Sequence, residues 1–97
     1  MNNLQPSLLS REALVELKRT LPEWEVKGGK LFKKFQFNNF IEAFSFITKV
    51  ALIAESMNHH PEWKNIYSSV TIELTTHDKG GISNLDVKFA ELINKLN

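Results

Sequence analysis

Ninety-seven residues suffice for one domain and leave little for a second core. Twelve basic side chains against eleven acidic ones, dispersed along the chain, give no clustered cationic field, which weighs against direct nucleic-acid binding. There is no cysteine, so a disulfide framework and a thiolate zinc knuckle are excluded.

No uncharged apolar run approaches the length of a membrane span. The first six residues, Met1, Asn2, Asn3, Leu4, Gln5 and Pro6, lack the basic and apolar regions of a secretory leader. The expectation is a soluble cytoplasmic chain with no membrane contact, forming a single domain over residues 1–97.

The first predicted helix opens at Ser10, a good N-cap, with Leu9 and Leu14 placed as a hydrophobic staple. Leu14, Leu17 and Leu21 continue an apolar stripe at helical spacing, and Pro22 stops it. Trp24 to Lys27 alternates as a short strand. Gly28 and Gly29 then supply the positive φ that a primed two-residue turn needs. On the returning strand, Leu31, Phe35 and Phe37 share a face with Lys33, while Phe32, Lys34 and Gln36 lie opposite.

Asn39 caps a long second helix, with Glu42 at the capping-box position. From Phe40 to Met57 this helix is apolar over most of its surface, interrupted by Glu42, Ser45, Lys49 and Ser56. A helix of that kind must be covered on more than one side. Either the first and third helices flank it, or a second copy of the protein does; the breadth of the apolar surface favours the second copy, as a homodimer or homotetramer.

A short strand from Glu62 to Ile66 follows. The next, from Ser69 to Thr75, points Val70, Ile72 and Leu74 inward. Asp78 to Gly81 forms a turn. Ser83 caps a last helix with Asp86 at its third position and an apolar face of Leu85, Phe89, Leu92 and Leu96. The order αββαββα predicts an α+β fold, a four-stranded antiparallel sheet with three helices packed on one face.

The chain's three histidines, His59, His60 and His77, fall within nineteen positions. Histidine titrates near neutral pH, so such a cluster points to proton transfer or metal ligation. The bland alternative is polar decoration where a helix passes into a strand. Ligation is the weaker chemical reading: Pro61 biases His60 toward extended backbone, on which neighbouring side chains diverge, and no HExxH or CxxC spacing is present. General acid and base work around an organic substrate suits divergent imidazoles better. Glu55, one helical turn before His59, could fix an imidazole tautomer. Trp63 and Tyr67 could wall a flat ligand, although such aromatics are more often core. Asp86 taken alone reads as a helix cap.

Together these residues resemble the pterin-4a-carbinolamine dehydratase family. Its pattern is an acidic residue, three positions, His-His-Pro, five or six positions, an aromatic, nine positions, a histidine and a later aspartate. Glu55, His59, His60, Pro61, Tyr67, His77 and Asp86 meet every spacing. Trp24, Phe35, Phe37, Phe40, Val50, Ala51, Ala54, Leu74, Thr76 and Asp78 also match, so the similarity runs from about Leu14 to Ile93. Glu23, where a glycine often stands, and the Ile82–Ser83 pair, in place of the usual Leu-Thr, are the departures.

The resemblance implies dehydration of 4a-hydroxytetrahydropterin to quinonoid dihydropterin, needing one acid and one base but no metal or other cofactor. It assigns His59 and His60 to proton donation and acceptance, and His77 to holding and polarising the pterin. Glu55, Pro61, Trp63, Tyr67, Thr76 and Asp86 become supporting or substrate-binding residues. It also implies an aromatic amino acid hydroxylase in the same pathway. Relatives in this family act as dimerisation cofactors of homeodomain transcription factors through the long helix, which is the alternative function.

Overall fold

The computed structural model describes residues 5–96. The first four of the six residues read for a leader lie outside that range. The elements run α1 (Arg11–Thr20), β1 (Glu25–Lys27), β2 (Lys30–Gln36), α2 (Phe40–Met57), β3 (Glu62–Ile66), β4 (Ser69–Leu74) and α3 (Asn84–Asn94), with one short 3-10 turn at His77–Lys79. The αββαββα order and the antiparallel sheet are those the sequence predicts.

Local chemistry accounts for each boundary. The Ser10 hydroxyl accepts from the Ala13 amide and starts α1. At α2 the Asn39 side chain accepts from the Glu42 amide, while Glu42 reaches back to the amide of Asn38 rather than Asn39. The capping box expected there is thus displaced by one residue. At α3 the reciprocal box forms in full: the Ser83 hydroxyl accepts from the helix, and Asp86 accepts from the Ser83 amide. Gly28 and Gly29 both take positive φ, 58° and 75°, closing the β1–β2 hairpin as a primed turn.

The sheet order is β1-β2-β4-β3, so the two hairpins join through β2 and β4. In that central pair Leu31 faces Leu74, Lys33 faces Ile72 and Phe35 faces Val70. These residues share the face that the helices cover, and all but Lys33 are buried. Lys33 stays on this face with its ammonium over the rings of Trp24 and Phe35, 5.8 and 4.7 Å from their centroids, and 2.8 Å from Glu23. Ala43, Phe46, Val50 and Ala54 of α2 and Phe89, Ala90 and Ile93 of α3 complete the core.

Cover on α2 is incomplete within one chain. Its inner stripe is buried, but Phe40, Ile41, Phe44 and Leu52 stand 44, 71, 54 and 67% exposed. The flanking helices therefore do not finish the burial. Among the described residues, no helix is long and apolar enough to cross a membrane.

Candidate active site

The site is assembled where α2 exits, β4 ends and α3 begins. Helix α2 stops at Met57, and Asn58 adopts the left-handed conformation (φ 51°, ψ 42°). Asparagine is one of the few residues other than glycine that enters this region readily. The Asn58 amide returns to Glu55 O and that of His59 to Ala54 O, so the chain reverses sharply. The reversal throws His59 inward and leaves His60 facing out. Their side chains are 11% and 57% exposed, which is the divergence expected before Pro61.

His59 Nε2 lies 2.6 Å from Oδ1 of Asp86, a carboxylate with no solvent exposure, and the ring packs beside Phe89. His60 Nε2 lies 2.6 Å from Glu55 Oε2 at the surface. His77 follows β4 directly, held by the 3-10 turn and by Gly80 at φ 76°, and its Nε2 is 3.1 Å from Glu62 Oε2. Each imidazole thus has its own carboxylate, always at Nε2. A carboxylate accepts and cannot donate, so Nε2–H is the donor in each pair. Among the described residues, Nδ1 of none of the three takes part in a hydrogen bond.

These pairings revise two sequence readings. Glu55 partners His60, not His59. Asp86 does cap α3, but its second oxygen also holds His59, so its role extends beyond the cap. Thr76 is buried and donates from Oγ1 to Asp86 Oδ2 at 2.8 Å. The His77 backbone is therefore one residue from a hydroxyl that shares a carboxylate with His59. Pro61 is half-buried and leads from His60 into β3. Trp63, at 41% exposure, stands two residues beyond Pro61. Tyr67 is set apart: it sits in the β3–β4 turn at φ 51°, 67% exposed. It is separated from the imidazoles by the length of β3, roughly 16 Å at the rise of an extended chain.

Glu62 went unnoticed in the sequence. It holds His77 through one oxygen and Lys30 Nζ through the other, at 2.5 Å, and Lys30 also reaches Glu73 at 3.4 Å. The Lys30 ammonium holds the Glu62 carboxyl below its ordinary value, and Glu62 raises Lys30 in return. The only available signal was a strand residue two positions after His60, and alternation cannot say what lies across the sheet. Next to this pair the open face of the sheet has a depression of about 440 Å³, lined by Phe32, Lys34, Glu62, Trp63, Lys64, Thr71 and Glu73. Glu62 joins the depression to His77; the imidazoles themselves do not line it. Among the described residues, no group of three or more His, Cys, Asp or Glu side chains is gathered to hold a metal ion.

Residues 7–96 match the family model described as pterin 4 alpha carbinolamine dehydratase. The chain belongs to the pterin-4a-carbinolamine dehydratase family. A relative in Prochlorococcus marinus strain SARG, named as a candidate pterin-4-alpha-carbinolamine dehydratase, is 55% identical over 93 residues, covering 96% of this chain and 97% of its own. Its counterpart in strain MIT 9312 is 57% identical with the same coverage.

Among solved structures, the transcriptional coactivator/pterin dehydratase of Brucella melitensis superposes with a TM-score of 0.87. It is 35% identical, over 92% of this chain and 97% of that one. A pterin dehydratase-like protein identified as a RuBisCO assembly factor in the alpha-carboxysome shares the fold, with a TM-score of 0.62 and 24% identity over 75% of this chain and 84% of that one. The pterin-4a-carbinolamine dehydratase fold thus extends across nearly the whole chain.

Proposed function

We propose that this chain is an active dehydratase of pterin carbinolamines, with its own three imidazoles as acid, base and substrate-holding group. The observation that carries the reading is the repeated imidazole–carboxylate pairing, in which Nε2 is engaged and Nδ1 is left for a ligand. Family membership supplies the substrate class.

In the reaction, the 4a-hydroxyl takes a proton and leaves as water, while a ring nitrogen gives up a proton as the C=N bond forms. His59 and His60 supply and remove these protons, and each positioned group is worth about 10² to 10⁴-fold. His77 holds and polarises the ring, and Trp63 offers it a flat apolar wall. The carbinolamine comes from tetrahydropterin-dependent hydroxylation of an aromatic amino acid, so a hydroxylase would act upstream in the same cytoplasm.

We further propose that the enzyme works as a homo-oligomer built on the uncovered face of α2. That face also fits the alternative role as a protein-binding cofactor, but the paired imidazoles would be idle in it, so the dehydratase is the reading adopted. The test is dehydration of synthetic 4a-hydroxytetrahydropterin by wild type and by His59→Ala, His60→Ala and His77→Ala. Wild type should accelerate water loss and the His59 and His60 variants should lose most of that acceleration. A wild type indistinguishable from buffer would sink the reading, and a fully active His60→Ala would overturn that residue's role.

A further inference from the structure

We infer that Ser83 and Thr76 are positioning residues for His59, their hydroxyls forming with Asp86 a one-directional hydrogen-bond chain that keeps the imidazole as its Nε2–H tautomer. The inference rests on the dehydratase reading for its consequence in catalysis, but not for the chain itself.

The direction follows from counting protons. Ser83 Oγ accepts from the Leu85 amide at 3.1 Å and lies 2.6 Å from Thr76 Oγ1, which lies 2.8 Å from Asp86 Oδ2. A hydroxyl has one proton to give and a carboxylate has none. The Thr76 proton therefore goes to Asp86, and the Ser83 proton goes to Thr76. Oδ2 also receives the Ser83 amide at 2.8 Å, so both of its lone-pair directions are filled. Oδ1 is left with a single partner, His59 Nε2 at 2.6 Å.

Capping alone does not require this arrangement. A cap needs only that the Ser83 side chain accept from the helix and that Asp86 accept from the Ser83 amide. The contact from Ser83 to Thr76 and the contact from Thr76 to Asp86 add nothing to α3, yet Ser83 and Asp86 have no exposure and Thr76 has 6%. With water excluded, nothing replaces a lost donor. The carboxylate plane is pinned at one oxygen from two elements, the end of β4 and the start of α3, and the other oxygen is thereby aimed at the imidazole. His59 Nδ1 is then the ring nitrogen left with a free lone pair.

The test compares wild type with Thr76→Val, which keeps the shape and removes the hydroxyl, and Thr76→Ser, which restores it. A second pair, Ser83→Ala and Ser83→Thr, repeats the comparison one link further back. Long-range ¹H–¹⁵N correlation of the His59 ring reads the tautomer directly, and steady-state kinetics with 4a-hydroxytetrahydropterin read the consequence. Wild type should show His59 protonated at Nε2. Thr76→Val should show a tautomer mixture and lose about tenfold in kcat, part of the gain a positioned acid or base supplies, with KM within about twofold; Thr76→Ser should recover both.

The inference is overturned if wild-type His59 carries its proton on Nδ1, or if Thr76→Val changes neither tautomer nor kcat. If the wild type shows the Nε2–H tautomer but does not dehydrate the carbinolamine, the functional reading fails while the chain stands. If Ser83→Ala does not fold, the wild-type spectrum and the Thr76 pair still decide.

Discussion

Two imidazole–carboxylate pairs of equal length differ sharply in what surrounds them. Both His59–Asp86 and His60–Glu55 measure 2.6 Å, but the first is closed to solvent on the carboxylate side and the second is 57 and 75% exposed. Water and salt screen an exposed pair until little of it remains. Glu55→Gln should therefore change kcat by less than about threefold. Asp86→Asn should lower it by about 10² or more, because an amide can present its N–H to Nε2 and select the wrong tautomer. Turnover of the carbinolamine by the two variants checks both values.

A second residue-scale test concerns Asn58. At φ 51°, Asn58→Ala should destabilise the fold by about 1 kcal/mol, whereas Asn58→Gly should be neutral or mildly stabilising. Urea denaturation measures the difference. The alanine variant should also lose activity, since the reversal at Asn58 is what aims His59.

At the scale of elements, helix α2 presents two different faces. Its inner stripe of Ala43, Phe46, Val50 and Ala54 anchors the core, while Phe40, Ile41, Phe44 and Leu52 face outward. Aromatic rings 5.7 Å apart at Phe40 and Phe44 form the nucleus of a surface that a second copy could cover. Phe44→Glu should reduce the mass in solution, as seen by light scattering, and leave the far-ultraviolet spectrum unchanged. A triple exchange of His59, His60 and His77 to Ala should leave that mass unaltered, which separates assembly from catalysis. The β3–β4 hairpin contributes differently: Asn65 Nδ2 donates to Tyr67 O and Ser69 O and holds a tight turn whose tyrosine lies far from the imidazoles.

For the whole molecule, the Lys30–Glu62–His77 linkage ties β2, β3 and the end of β4 together across the sheet. The Glu62 carboxyl is held below its ordinary value of 4.5 by the hydrogen bond from Lys30. A group depressed in the folded state stabilises above its unfolded value, and that contribution is lost as pH falls through the folded one. The stabilisation from Glu62 is thus fully present above about pH 5 and disappears on acidification below 4.5. Glu62→Gln should flatten the acid limb of a stability–pH profile measured by thermal melting. It should also raise KM for the carbinolamine if His77 holds the ring.

The periodicity of apolar residues, the caps at Ser10, Asn39 and Ser83 and the Gly28–Gly29 turn were enough to read αββαββα, because these signals are local and act within a few residues. The three histidines marked the candidate site for the same reason: their identities lie in the chain itself. The partners of those histidines did not. Asp86 meets His59 from 27 residues away and Glu62 meets His77 across 15; the first distance closes only when α3 docks beside α2, and the second only when β3 pairs with β4. Helical spacing suggested Glu55 for His59, yet the left-handed Asn58 turns the chain and delivers His60 instead. Exposure of Phe40, Ile41, Phe44 and Leu52 was likewise settled by packing, since one sheet and two helices offer a single helix only a limited area. Side-chain chemistry is written residue by residue, whereas which donor meets which acceptor depends on burial and long-range closure, and these exist only in the folded chain.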